Sequence, residues 1–595
     1  MMAKGASSQI DFGNVMKHVD YMRLHFPDRK SGGGGDLEAG RYIVEQMKSY
    51  GLDATLQAFE TLDSDVGTSR LTRGGAEGPE IASLPCLHVE PTPASGVTAE
   101  LVDVGPGGMA DYEGKDVAGK FVLAEVSYAP ATPEKARIAA SKGASALILM
   151  NWGKDDSTEI PWRSLKSVWG NPTPENIHEM PRIAGISISR GSGMALRREL
   201  AAGSVRLHMR LTANRVWRTL HQPIGWLNAP EHAPERDRFM VVSTHIDGWT
   251  PGVTDNISGM SVMLELARSL AARRNSLARS VVFTSWNGHE VAEAAGSTYF
   301  VDTQWERINR GAVGYLNIDS VGMRGTTEFH VNCCPELRHL ARSVSREIFG
   351  DGLPQKIQSL KRTGDQSFFG VGVPAITGRH SYSPQVVAEF NGATLGWYNH
   401  TKFDTIDVLD PDLLEADLTW AKQVLDTFLV NPALPYRLSE RVADLRTRYA
   451  NVLEDSGQRS DLGRIADGLD ALAPEVEWLD RLLADANASQ HVLARANGVA
   501  LRITRQLTFI GETAVGKYGQ DSYGSSTLLD PVPMLACLRQ YKEAGPGSDT
   551  EKLLWTKLIR LRHQITDAIE LARSTIADFR VNLADDGKAP PTTGK

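Results

Sequence analysis

The hydrophobic rhythm of the chain changes twice. Near the start, VMKHVDYMRLHF and LEAGRYIVEQMKSYG place apolar residues three and four apart, which predicts two helices, and LDATLQAFE predicts a strand after them. The intervening SGGGGD follows no strand and lacks the spacing of a phosphate-binding fingerprint, so a flexible loop capped by Asp36 is expected. Residues 61–215 alternate short strand-like pieces (TAELVDVG, GKFVLAEV, SALILMNW, PRIAGISIS) with turns, dense Gly-Pro punctuation and one helix, PEKARIAASKGA. That change of character predicts an inserted α/β module.

From about residue 220 the pattern becomes strongly α/β. The apolar strands RFMVVSTHI, SVVFTSW and GAVGYLNID are separated by helices such as SGMSVMLELARSLAARR. Strands of this kind predict a mostly parallel sheet covered by helices on both faces, with chemistry at the carboxyl ends of the strands. After NPALPYR the strands stop. LSERVADLRTRYANVLED, IADGLDALAPEVEWLDRLLADA and EKLLWTKLIRLRHQITDAIELARSTIADF predict a helical bundle. The expected division is 1–60 with 216–432 as one discontinuous α/β domain, 61–215 as the insert, 433–585 as the helical domain, and 586–595 as a disordered tail.

Composition narrows the function classes. A net charge of -8 gives no electrostatic reason to expect a nucleic-acid partner. No apolar run is long enough to span a bilayer, so no membrane partner is expected, and MMAKGASSQIDFGNV lacks a signal-peptide core. The four cysteines form no metal knuckle or disulfide framework and fit core thiols in a reducing, cytoplasmic setting.

Candidate chemistry collects at the strand ends. The first of the three strands delivers His245 and Asp247, with Asp255 just before the next helix; the second ends at His289 and Glu290; the third ends at Asp319; WYNHTKFDT later offers His400 and Asp404. Imidazole nitrogen and carboxylate oxygen on rigid elements suit divalent ions such as zinc. Asp255 is placed to bridge two ions, and Asp247 to fix the tautomer of His245.

These residues carry a resemblance. HIDGWTPGVTDNISG resembles the HxDxWxxGxxDxxSG signature of the family M28 zinc peptidases, in the glutamate carboxypeptidase and transferrin receptor branch. FTSWNGHE resembles that family's FxxWxxEE, LNIDSVG its N-x-D motif, NHTKFDT its YHTxxDT, and TGDQSFFGVGVPAI its S-D-H-x-x-F-x-x-x-G-V-P segment. The resemblance implies that 61–215 is a protease-associated domain and the helical part a homodimerisation domain. It implies two divalent metal ions, zinc first and manganese or cobalt as alternatives. His245 and Asp319 would hold one, Glu290 and His400 the other, with Asp255 between them and a cis bond after it.

Three departures qualify the function. Counted from Trp286, His289 stands where the family has its glutamate base and Glu290 is the ligand; counted back from Gly296–Ser297, Glu290 is the base and Val291 takes the ligand position. The count from Trp286 is preferred, with the extra residue absorbed in VAEAA; Glu293 is a less favoured stand-in. Asn399 separates Tyr398 from His400, so either Tyr398 or Asn399 is the oxyanion donor, and Gln366 replaces a histidine. Arg379, His380 and Tyr382 are expected to line the substrate cleft, with Arg379 receiving a substrate carboxylate. The expectation is a hydrolase that cleaves an amide in a small substrate, such as an N-acyl amino acid, dipeptide or unusual amide, through a water between the two metals. The alternatives are other metal-dependent chemistry, such as a lyase enabled by His289, and a receptor-like binding protein.

Overall fold

The computed structural model describes residues 10–360, 366–454, 460–523 and 532–585. The expectation for the tail 586–595 and the first three residues of TGDQSFF lie outside them.

The central sheet runs in the order Asp53–Asp65, Asn214–Leu227, Ser280–Trp286, Phe239–His245, Ala312–Asn317, Ala375–Ser381, Glu328–Cys333, Gln355–Ser359. Strands 239–245, 280–286, 312–317 and 375–381 are mutually parallel. Every residue of the first three is buried, which is why they read as unbroken apolar runs rather than alternating ones. Their register places His245 opposite Trp286 and Ser243 opposite Asn317, so the residues following all three strands emerge at one sheet edge. The helix Ser258–Ala272 buries twelve of its residues between that sheet and the helix Phe12–His25.

The second sheet lies within 61–215 and contains the four strand pieces expected there, with the helix Thr132–Ser141. The boundaries at 60 and 215 fall inside one long antiparallel pair, Asp53–Asp65 with Asn214–Leu227, which joins the two sheets as a ribbon. The SGGGGD turn is held rather than loose: Asp36 accepts hydrogen bonds from the amides of Gly32 (2.9 Å) and Gly34 (3.0 Å), and from Asn287 Nδ2 (2.8 Å). Asp36 therefore lies inside the first turn of the helix Gly35–Ser49, and Gly34 takes the cap position.

The helical part contains the three expected helices, Leu438–Glu454, Arg464–Leu483 and Asp549–Asp585, and a fourth long one, Gln490–Glu512. That fourth helix is the most deeply buried, with sixteen buried residues including Arg505 and Glu512. Among the described residues no helix is long and apolar enough to cross a membrane. All four cysteines are buried and unpaired.

A buried ion cluster ties the helical part to the sheet domain. Arg441 donates from Nε to Glu336 (2.8 Å) and from Nη1 to Glu512 (2.5 Å), with Arg441 and Glu336 fully inaccessible. Removing the cation strips buried Glu336 of its partner and leaves Glu512 to Arg448 alone, so Arg441→Ala should cost about 3–5 kcal/mol in chemical denaturation. Deleting the exposed pair Arg346–Asp351 should cost less than about 1 kcal/mol in the same assay.

Candidate metal centre

The aligned strand ends bring five of the predicted groups together. His245 Nε2 lies 3.0 Å from Asp255 Oδ1 and 3.3 Å from Asp319 Oδ1. His400 Nε2 lies 3.1 Å from Asp255 Oδ2 and 3.3 Å from Glu290 Oε1. Asp255 thus offers one oxygen to each of two ligand triads, His245–Asp255–Asp319 and Asp255–Glu290–His400. The bond after it, Asp255–Asn256, is cis.

The donor set fits cations better than it fits itself. Glu290 Oε1 is buried and, among the described residues, has no partner closer than His400 Nε2. His245 Nδ1 lies 2.8 Å from the backbone carbonyl of Asp247, which fixes the proton there and leaves Nε2 free to face the carboxylates. Burial alone would lower the pKa of His245, but the Asp255 and Asp319 carboxylates carry it well above its ordinary value. His400 is likewise opposed by burial and raised to about 9, mainly by Glu290 and then by Asp255.

Asp247 acts differently from the expectation. Its backbone oxygen, not its carboxylate, orients His245; the carboxylate instead accepts the amides of His289 (3.0 Å) and Glu290 (2.9 Å). The side chain points at the neighbouring strand end, so it sets the backbone path through NGHE. Asp404 plays the parallel role for Asp255, accepting from Thr254 N (2.8 Å), Thr254 Oγ1 (2.9 Å) and Asp255 N (3.0 Å).

The count of the FTSWNGHE segment from Trp286 makes Glu290 the expected ligand, and the count back from Gly296–Ser297 makes Val291 the residue at that position. Glu290 faces His400, whereas Val291 packs between Leu87 and Trp249. The surplus residue is taken up where Glu293 (φ 48°) and Ala294 (φ 58°) both adopt left-handed backbone. His289 stacks on His245 with ring centroids 4.0 Å apart.

Three predicted substrate or catalytic residues are engaged in contacts of their own. His380 is buried, with Nδ1 2.8 Å from Asp417 and its ring edge-on to Phe329 and Phe349, so it is committed to the core. The Tyr398 hydroxyl pairs with that of Tyr382 at 3.1 Å, and Tyr398 is only 2% exposed. Asn399 donates to Asp255 Oδ2 at 2.7 Å. Tyr382 and Arg379 do line a cavity of ≈ 420 Å³, together with Lys356 and Gln358. Gln366 is on the same wall.

The cavity over the triads, ≈ 640 Å³, shares Asp319, Asn332 and Gln358 with that pocket and takes walls from three parts of the chain. Arg163, from the insert, places Nη1 3.2 Å from His400 Nδ1, while its Nε and Nη2 are buried with no hydrogen-bond partner among the described residues. Burial brings its pKa down to about 10. Tyr523, from the helical part, donates to Glu293 Oε2 at 2.9 Å, and desolvation raises Glu293 to about 8. Neither Arg163 nor Tyr523 was singled out from the sequence; IPWRSLKSVWGNP carries no ligand spacing that would have shown it.

Residues 227–423 match the model for peptidase family M28, and residues 97–196 match that for the PA domain. The chain carries an M28 peptidase domain. A PA domain interrupts the ribbon that leads into it. A glutamate carboxypeptidase 2 homolog from Caenorhabditis briggsae is 30% identical over 149 residues, 24% of this chain and 18% of that protein. Aminopeptidase YwaD from Bacillus subtilis is 27% identical over 312 residues, 51% of this chain and 61% of that protein. These alignments thus span less than two thirds of the curated relatives. Among solved structures, a zinc aminopeptidase from Bacillus subtilis superposes with a TM-score of 0.54 at 21% identity, covering 71% of this chain and 96% of that one. That likeness describes the fold alone.

Removing the Asp247 carboxylate frees the backbone that aims Glu290. Asp247→Ala should therefore weaken metal binding by ~10–100-fold in titrations with a chromophoric chelator, with the circular dichroism spectrum kept.

Proposed function

We propose that the chain is a metal-dependent hydrolase of an amide bond in a small substrate, an N-acyl amino acid or dipeptide with a free carboxylate. One observation carries the reading: the two oxygens of Asp255 face separate triads at the carboxyl edge of a parallel sheet. Two divalent ions, zinc first, held by His245, Asp255 and Asp319 and by Asp255, Glu290 and His400, would supply Lewis acidity that acidifies water and polarises the scissile carbonyl. The zinc reading rests on this donor set and on the zinc aminopeptidase among the structural neighbours.

The chain's own groups divide the remaining work. His289 lines the cavity beside Glu290 and is positioned as the proton acceptor, a role imidazole fills near neutral pH. Arg163, with two nitrogens that have no hydrogen-bond partner among the described residues, is the donor placed to meet oxyanion charge, a task for which buried Tyr398 is poorly sited. Arg379 and Lys356 in the adjoining pocket receive the substrate carboxylate. The helical part assembles the chain as a homodimer, and the four unpaired cysteines suit a reducing, cytoplasmic setting.

A panel of N-acyl amino acids, dipeptides and amino-acid anilides, assayed after chelation and after reloading with zinc, manganese or cobalt, tests the activity. Turnover should vanish on chelation and return with metal; a metal-replete chain inactive on the whole panel contradicts the proposal. His289→Ala should lower kcat by roughly 10²–10⁴-fold without loss of metal. In His289→Glu the acid limb of the pH profile should move down by about two pH units, since a carboxyl ionises below an imidazole. Glu290→Gln should lose metal; if it keeps metal and loses turnover, Glu290 is the base instead.

A further inference from the structure

A separate cavity of ≈ 540 Å³ lies at the seam between the helix Gln490–Glu512 and the sheet domain. Five cations line it: Arg238, Arg310, Arg502, Arg505 and Lys517. Among the described residues no carboxylate does, in a chain with 72 acidic and 64 basic residues.

The positive charge there is poorly compensated. Arg505 is buried and donates to the carbonyls of Ile308, Asn309, Ala312 and Gly372, which satisfy its N–H groups but carry no charge. Arg238 pairs with Glu235, but that carboxylate also serves buried Arg279. Lys517 donates to the neutral amide of Gln506 at 2.7 Å, and the acid that acts on it, Asp567, is not on the wall. Arg310 makes one long bond, 3.3 Å, to the Glu306 carbonyl. Arg502 makes no hydrogen bond or ion pair among the described residues. Gathering five cations around a cavity whose wall carries no acid is unfavourable unless an anion joins them.

We infer that this cavity binds a multiply charged phosphoanion, a pyrophosphate or the phosphate chain of a nucleotide. Guanidinium forks match phosphate oxygens in pairs, and the volume is that of a small-molecule site. Trp305 and Tyr518, rings 5.3 Å apart, line it as well and offer a nucleobase a face to pack on. Arg505 grips the carbonyls just before the strands Ala312–Asn317 and Ala375–Ser381, so an anion held here braces the helical part against the sheet that carries the metal ligands. The site is independent of the hydrolase proposal.

Calorimetric titration of the metal-loaded full chain with sodium pyrophosphate, and separately with ATP, tests it. Saturable binding is expected, weakened about ten-fold or more by Arg502→Glu and by Arg310→Glu, both exposed side chains remote from the triads. The melting temperature should rise with ligand in the native chain and not in the variants. ATP binding more tightly than pyrophosphate identifies a nucleotide, and equal affinities identify the phosphate chain alone. A second equivalent that survives Arg502→Glu but disappears on chelation belongs to the metal centre, and loss of the other equivalent still supports the site. No saturable binding, or binding wholly unchanged by both charge reversals, overturns the inference. So does a dimer that Arg502→Glu splits without any pyrophosphate binding in the native chain, because an acidic partner surface then accounts for the charge.

Discussion

Five carboxylates, those of Asp247, Asp255, Glu290, Asp319 and Asp404, are crowded into one largely buried space at the edge of the sheet. Their repulsion is the constraint on which the site depends. Two are held by backbone amides that cap their carboxylates, while burial raises both Asp247 and Asp404 to about 7. The other three surround the imidazoles of His245 and His400 and draw them toward the charged form, with Asn399 donating to Asp255 and Ser320 to Asp319. Two divalent cations would relieve that crowding, and Asp255 is the group that both would need.

The rest of the molecule supports this arrangement from outside the sheet. Buried Arg29 donates to the carbonyls of Ile246, Pro251 and Gly252, holding the loop that carries Asp255. The PA domain contributes Arg163 and Trp162, which stacks on Trp249 at 5.6 Å, and the Trp162 amide donates to the His400 carbonyl at 2.9 Å. The helical part contributes Tyr523 on Glu293. Three regions far apart in the chain thus meet over one cavity, which suits the selection of a small substrate.

The strands of the central sheet and the cluster of acids and imidazoles at their ends were legible in the sequence because each depends on local pattern. Unbroken apolar runs marked strands buried on both faces, and acid or imidazole residues just after them marked the sheet edge. What was not legible depends on contacts between distant segments. The carboxylate of Asp247 was expected on His245 two residues away, but it reaches across to the amides of the next strand's end. His380 and Tyr398 sit beside cavity residues in sequence, yet strand alternation and the Tyr382 contact turn them into the core. Arg163 and Tyr523 lie in segments with no motif, and only the packing of the insert and the helical part brings them to the cavity. The helix Gln490–Glu512 escaped notice because polar Asn497, Arg505 and Glu512 interrupt its apolar pattern, each of them paired inside the core.

The central claim is that Asp255 serves two cations at once. Metal content per chain, measured by plasma mass spectrometry after zinc loading and desalting, tests it most directly when the native chain is compared with Asp255→Asn. The account predicts about two ions in the native chain and loss of both in the variant, because each triad loses its shared oxygen. A native chain that retains no zinc, or an Asp255→Asn variant that still holds two, would contradict it.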